Sequence, residues 1–283
     1  MKEREPVEHQ RLHPEVESLL GRIEDETGRP VEIRPDNRIR DRARAVYLAT
    51  DPDPDRHLIL YDPDLEPHLS HLVAHECGHI IRLAEADPDD KTVPIVTITR
   101  RARAISRLLP ELYSLAQQGV PAGALTDLTS IWLSGTVAQL ADTPSDIRIE
   151  RWISHQLPDL RLDQEDSLED QLRTTALGLR PVVVAFTPRS VWQASTAMNY
   201  ALAKSCAVAL DRPDFVRPFR GTSVAKLGGE LVELFDRCAD NGLAGDRRVS
   251  EAWASRLGIR EWFEWRRVDE LPAEFQRMWE AAW

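Results

Sequence analysis

The sequence predicts an α+β protein in which a small sheet is followed by a mainly helical remainder. Short apolar segments of strand length lie between residues 31 and 61, and a turn-rich Asp-Pro repeat separates two of them. From residue 99 onward, apolar residues recur at the three- and four-residue spacing of amphipathic helices. The chain has 283 residues, of which 42% are hydrophobic, so it can bury the core of one large domain or two small ones.

The first elements are a helix and three strands. Apolar residues at helical spacing predict a helix over residues 15–26, and Gly28 is typical of the residue that ends a helix. Alternating and β-branched runs predict strands over residues 31–33, 45–49 and 57–61. Together these elements indicate a helix that leads into a small mixed or antiparallel sheet.

The next helix carries the sequence H-E-C-G-H at residues 75–79, which has the pattern H-E-x-x-H. Residues four apart lie on one face of a helix, so the imidazoles of His75 and His79 can share one tetrahedral metal ion. Glu76 lies beside them, where it can take a proton from a water bound to that ion. Cys77 falls on the opposite, apolar side of the helix, and we interpret it as a core residue.

The rest of the chain is predicted to be helical. Asp-Pro sequences at residues 62–63 and 87–88 mark the limits of the motif helix. Several short helices are expected near the C-terminus, and before them the periodicity predicts longer helices over residues 99–118 (with a break at Pro110), 125–140, 146–157, 168–177, 188–210 and 222–238.

A catalytic zinc site needs a third protein ligand, and the best candidate in this sequence is Glu150. Thr143 as N-cap and Pro144 as the first helical residue predict a new helix that ends before Pro158. Asp146 and Glu150 share the apolar face of this helix, where an unpaired carboxylate is costly. A metal ion would compensate the charge of Glu150, and a salt bridge to an arginine is the alternative.

Other polar residues near the motif rank lower as ligands. Asp146 is the second choice for the third ligand, and Glu85 is the third, because a continuing helix turns Glu85 away from the two histidines. His68 and His71 lie near the metal face of the motif helix. We expect them to orient ligands or to lie at the surface, because one straight helix rarely gives three ligands to one ion.

At these positions the chain resembles the zincin metallopeptidases, and within them the gluzincins, whose third zinc ligand is a glutamate on a separate helix after H-E-x-x-H. The likeness rests on His75, Glu76 and His79, on the strand at 57–61 just before the motif helix, and on Glu150. Only the pentapeptide is specific. The chain also resembles small cytosolic bacterial proteins that carry H-E-x-x-H.

The resemblance implies a zincin-like catalytic core over residues 1–160, with a helical C-terminal part over residues 161–283 packed on it. It further implies a soluble zinc metallopeptidase in which His75, His79 and Glu150 hold Zn²⁺. Glu76 would act as the general base, and the substrate would be a protein or a peptide. The strand at 57–61 is expected to form the edge of the sheet, where an extended substrate could pair with it.

Composition excludes several other classes of protein. With Lys+Arg 36 and Asp+Glu 47, the formal charge is -11, which disfavours nucleic acid and anionic membranes as partners. The three cysteines are far apart, and this argues against a disulfide framework or a thiolate zinc site. The N-terminus has no apolar signal segment and no apolar run is long enough to span a bilayer, so we expect a cytoplasmic protein. The oligomeric state is left open.

Two other functions are consistent with the same residues. One is a regulatory or binding protein that keeps a zincin scaffold without peptidase activity, and the intact Glu76 argues against it. The other is a metal hydrolase that acts on a non-peptide amide or ester. A fourth coordination position closed by the protein would favour the first alternative.

Overall fold

The computed structural model describes residues 12–39, 42–46 and 55–271. Within these residues the chain is mainly helical and has two small sheets, which confirms the α+β class in general. The helices are α1 (Pro14–Thr27), α2 (Leu69–Glu85), α3 (Ile98–Gln117), α4 (Ala122–Gln156), α5 (Arg161–Thr175), α6 (Pro181–Phe186), α7 (Arg189–Ala209), α8 (Ser223–Asp236) and α9 (Gly242–Leu257). The strands are β1 (Val31–Pro35), β2 (Ala43–Val46), β3 (His57–Tyr61), β4 (Thr92–Ile95) and β5 (Glu264–Arg267).

The N-terminal elements follow the prediction closely. Helix α1 ends at Gly28, whose φ of 69° is the left-handed conformation that glycine adopts without strain. The Gly28 N–H donates to the carbonyl of Glu24 over 2.8 Å and so closes the last turn. Residues 47–49 of the predicted second strand and residues 51–54 of the predicted turn lie outside the described residues.

The three-stranded sheet is mixed and has the order β1-β3-β2. Strand β3 pairs in parallel with β1 and antiparallel with β2. It is therefore the central strand, and the prediction that the strand at 57–61 forms an edge open to a substrate is wrong. Both of its sides already carry main-chain hydrogen bonds, so a peptide cannot add to it.

A second sheet of two antiparallel strands was not predicted. Its strands, β4 and β5, are about 170 residues apart in the chain, and Val93 faces Arg266 in the register. Strand β4 contains Pro94 and β5 contains two arginines, so neither has the apolar alternation by which strands are recognised. The pairing brings the end of the described chain back to the start of α3.

Helix α4 is a single helix of 35 residues, where the sequence predicts two. Pro144 lies inside the helix, and Thr143 is helical and buried, so its prediction as an N-cap is wrong. Proline cannot donate to the carbonyl four residues earlier. The hydroxyl of Ser250 on α9 lies 2.9 Å from that carbonyl, on Leu140, and 3.0 Å from the carbonyl of Asp246, so its hydrogen can serve Leu140. Helix α4 ends at Gln156, so the predicted end before Pro158 is correct. The break predicted at Pro110 is wrong, because α3 continues through that residue.

The buried apolar residues form two clusters that meet along α4. The large cluster contains the buried apolar residues of α4 between Leu133 and Ile147, together with buried apolar residues of α3, α5, α7, α8 and α9. The small cluster contains α1, β3, α2 and the last turns of α4 from Ile149. The domain boundary predicted after residue 160 falls just before α5, which packs on both α2 and α7, and it stays a prediction.

Two further sequence predictions concern the cysteines and the membrane. All three cysteines are free, and Cys77 is fully buried in the small cluster, as predicted. Burial raises the pKa of the Cys77 thiol to about 12. Among the described residues, no helix combines the length and the apolar character needed to cross a bilayer.

Candidate metal centre

The centre lies beside a close contact between α2 and α4. Gly78 of the H-E-x-x-H sequence faces Ile149 on α4, and a Cβ atom at residue 78 would lie 2.7 Å from the Cγ2 atom of Ile149. No side chain larger than hydrogen fits there unless Ile149 or one of the two helices moves. This contact places His75 and His79 opposite Asp146 and Glu150.

Three side chains from the two helices converge at this point. The Nε2 atoms of His75 and His79 are 3.2 Å apart. The Oδ1 atom of Asp146 lies 3.5 Å from the His75 Nε2 atom and 3.3 Å from the His79 Nε2 atom. The three side chains are each about one fifth exposed, at 19%, 22% and 21%, so the solvent reaches each of them.

These three atoms could hold a metal ion. A tetrahedral ion bound at about 2.05 Å separates its ligand atoms by about 3.3 Å. The three observed separations of 3.2, 3.3 and 3.5 Å agree with that value without any movement of the side chains. Among the described residues, His75, His79 and Asp146 form the one group of potential ligands that is compact enough for an ion.

Glu150, the third ligand predicted first, lies on the other side of the His75 ring. Its Oε1 atom is 2.8 Å from the His75 Nδ1 atom, and its carboxylate lies 3.1 Å from the Nε2 atom of His71. The amide of Gln164 on α5 donates to the Oε2 atom over 2.6 Å. Both carboxylate oxygens are thus engaged in hydrogen bonds away from the group formed by His75, His79 and Asp146. The positions of the atoms favour Asp146, the second choice, as the third ligand.

The charges at the centre favour a cation. Burial alone would raise the pKa of Glu150, but the charge of His71 and hydrogen bonds from His71 and His75 lower it below its ordinary value. The pKa of Asp146 is likewise lowered, because hydrogen bonds from His75 and His79 outweigh its burial. Burial lowers the pKa of His75, but its two carboxylate partners raise it well above 6.5. Two ionised carboxylates therefore flank the histidines.

The other predicted residues are placed as follows. Glu76 is buried, with 8% of its surface exposed, and it precedes the turn that carries His79. Glu85 is exposed at the end of α2, away from the three converging atoms. The Nε2 atom of His68 lies 3.0 Å from the Asp170 carboxylate, and His68 is not among the three converging side chains.

Two buried residues support Glu150: His71, for which the sequence left a role open, and Gln164, which it did not single out. His71 is almost fully buried and bonds to Glu150, which agrees with the expectation that it orients other groups. Gln164 is fully buried, and its sequence context gave no signal. It lies in a segment rich in acidic residues, which is typical of a solvated helix. The packing of α5 against α2 and the hydrogen bonds of Gln164 to Glu150 bury it.

A cluster of ion pairs anchors the C-terminal helices beside the centre. Arg82 lies one turn after His79 and bonds to Asp246 over 2.6 Å and to Asp240 over 3.1 Å. Arg148 lies 2.9 Å from Asp246. These contacts fix the start of α9 and the loop before it against α2 and α4, so the support of the centre includes residues far beyond position 160.

Comparison of the chain with protein-family models, with curated proteins and with solved structures finds no match. The chemical interpretation therefore rests on the residues themselves.

Proposed function

We propose that this chain is a zinc-dependent hydrolase of peptide bonds, in which His75, His79 and Asp146 hold the metal ion. The observation that carries the proposal is the triangle of ligand atoms, which two different helices bring to tetrahedral separations. The likeness to zincins enters through His75, Glu76 and His79 alone, because the third ligand proposed is an aspartate.

The donor set is the reason for naming zinc. Two imidazole nitrogens and one carboxylate oxygen suit Zn²⁺, whereas Mg²⁺ and Ca²⁺ prefer oxygen ligands throughout. Three protein ligands also match catalytic zinc sites, in which a fourth position is left for water or substrate. The partial exposure of the three side chains is consistent with such an open position.

When bound, the ion supplies a water molecule whose pKa is lowered toward neutrality. Glu76 then has the role of general base: it takes a proton from the attacking water and passes it to the leaving amine. Its short distance along the helix from His75 keeps it in the same turn as the ligands.

Metal analysis tests the ligand set. The protein reconstituted with Zn²⁺ should contain about one zinc per chain. His75→Ala, His79→Ala and Asp146→Asn should each lower that content strongly, while His155→Ala, a change at an exposed histidine of α4, should leave it unchanged. Wild-type protein that retains no transition metal after reconstitution would refute the proposal.

A second variant tests the reaction. Glu76→Gln keeps the shape of the side chain and removes the basic oxygen, so zinc content should persist while cleavage of a fluorogenic peptide library falls by at least about a hundredfold. Hydrolysis at the wild-type rate in Glu76→Gln would remove Glu76 from this role. A zinc-loaded wild-type protein that cleaves ester or non-peptide amide probes but no peptide would overturn the substrate class and keep the metal site.

A further inference from the structure

The orientation of the His75 ring matters because a neutral imidazole binds a metal only through the nitrogen that lacks a hydrogen. His75 has its Nε2 atom beside His79 and Asp146, and its Nδ1 atom beside Glu150. The proton must therefore reside on the Nδ1 atom for the proposed site to form. The group that keeps the proton on the Nδ1 atom therefore determines whether the Nε2 atom of His75 can bind the metal ion.

The distances on the two sides of the ring are unequal. The Nδ1 atom lies 2.8 Å from Glu150, which is an ordinary length for a strong hydrogen bond to a carboxylate. The Nε2 atom lies 3.2 Å from the Nε2 atom of His79 and 3.5 Å from Asp146, and both distances are longer than the one to Glu150. The Glu150 side chain is also only 3% exposed, against 21% for Asp146, so water weakens its interaction less.

Glu150 is itself held from two other elements. The amide nitrogen of Gln164 lies 2.6 Å from the Oε2 atom of Glu150 and 2.9 Å from its main-chain carbonyl, so one side chain of α5 contacts both ends of the residue. His71, one turn before His75, lies 3.1 Å from the same Oε2 atom. The carboxylate thus has three neighbouring donors and no freedom to turn toward the His79 side.

We propose that Glu150 is a positioning residue that keeps the proton of His75 on the Nδ1 atom, and that Gln164 and His71 fix Glu150 in this role. This inference rests on the proposed metal site, because it concerns the ligand His75. It gives Glu150 a function other than the ligation expected from the sequence. It also makes α5 part of the centre, although no residue of α5 lies among the proposed ligands.

Nitrogen NMR of the histidine rings tests the proposal without any metal. Long-range ¹H–¹⁵N spectra of the metal-free protein at alkaline pH should show the His75 hydrogen on the Nδ1 atom, and Glu150→Gln should increase the share of the Nε2-protonated form. A wild-type ring protonated on the Nε2 atom would overturn the inference. Because this readout needs no zinc, it remains decisive even if the chain is found not to bind metal.

Zinc affinity, measured by competition with a chelator, provides the second test. Glu150→Gln should weaken Zn²⁺ binding by about ten- to a hundredfold, as the loss of a partner behind a ligating histidine does. Gln164→Ala should weaken it in the same direction by a smaller factor. Circular dichroism and thermal unfolding of each variant establish that it is folded before its affinity is compared.

The chain offers a matched control seven residues before His75. His68, the residue that precedes α2, and Asp170 of α5 form the same kind of pair, with 3.0 Å between the atoms, but His68 is not among the proposed ligands. Asp170→Asn should leave Zn²⁺ affinity unchanged. Equal affinities for wild type and Glu150→Gln would overturn the inference. Complete loss of zinc in Glu150→Gln, with zinc retained in Asp146→Asn, would also overturn it and would identify Glu150 as a ligand.

Discussion

Replacing Gly78 by alanine adds one methyl group at the closest contact between α2 and α4. The added carbon would lie 2.7 Å from the Cγ2 atom of Ile149 and 3.0 Å from its Cγ1 atom. Ile149 is buried and β-branched, so its side chain has one favoured rotamer in a helix and cannot turn aside at low cost. We expect relief to come from separation of the two helices, which would displace His75 and His79 from Asp146.

Two opposing effects set the change in the free energy of unfolding for Gly78→Ala. Forcing an extra methyl group into a packed core costs about 1–3 kcal/mol. Alanine is favoured over glycine inside a helix by about 1 kcal/mol. The net change in the free energy of unfolding for Gly78→Ala is therefore a loss between zero and about 2 kcal/mol.

A control at Gly135 separates the two effects. Gly135 lies within α4, is exposed, and has no atom within 4 Å of the position of an added Cβ. Gly135→Ala should thus stabilise the protein by up to about 1 kcal/mol, and the two variants should differ by about 1–3 kcal/mol in urea unfolding. Gly78→Ala should also bind Zn²⁺ more weakly than Gly135→Ala does. If Gly78→Ala were as stable as Gly135→Ala and bound zinc equally well, the close contact would have no energetic role.

Two more predictions concern the interior of α4 and the charges of the centre. Ser250→Ala should destabilise the protein by about 1–3 kcal/mol, because it leaves the buried carbonyl of Leu140 without a donor. The same change should cost less in a Pro144→Ala background, where a main-chain N–H is restored, and an equal cost in both backgrounds would refute this account. Because the pKa of His75 is raised in the folded state, its contribution to the stability of the metal-free protein is complete below pH 6.5 and is lost as pH rises through the raised value. Because the pKa of Glu150 is lowered, its contribution is complete above pH 4.5 and is lost as pH falls through the lowered value. Urea unfolding of wild type and His75→Asn from pH 4.5 to 9 should show a decline above about 6.5 that His75→Asn lacks, and parallel curves would contradict the assignment.

The parts of the site that depend on one helix could be predicted from the sequence. The separation of His75 and His79 by four residues fixes their common face, because the geometry of a helix is the same in every protein. The burial of Cys77 followed from the same rotation of 100° per residue. In each case the relevant distance is set within a few residues of chain.

The choice between Asp146 and Glu150 could not be made in this way. Both lie on the same face of α4, four residues apart, and each comes close to His75. Which of them faces the His79 side depends on how far α4 is shifted along α2, and the contact of Gly78 with Ile149 sets that shift. A contact between residues about 70 positions apart leaves no periodic signal in the sequence.

At Pro144 the local sequence predicted a helix start, and the prediction is wrong because contacts with a distant residue stabilise a continuous helix. Thr followed by Pro is typical of a helix start, and an isolated segment with this sequence would be predicted to begin a helix there. Here the carbonyl that proline leaves without a donor is served by Ser250, more than a hundred residues later. Local preferences of this kind are weaker than the packing of a buried helix.

The length of α4 has a consequence for how the protein unfolds. At 1.5 Å per residue, its 35 residues extend over about 52 Å and pass through both hydrophobic clusters. If either cluster unfolds, one half of α4 loses the side chains that pack against it, and a helix segment of that length has little stability in water. The two clusters should therefore melt as one cooperative unit, with coincident transitions around Trp253 in the large cluster and around α1 in the small one.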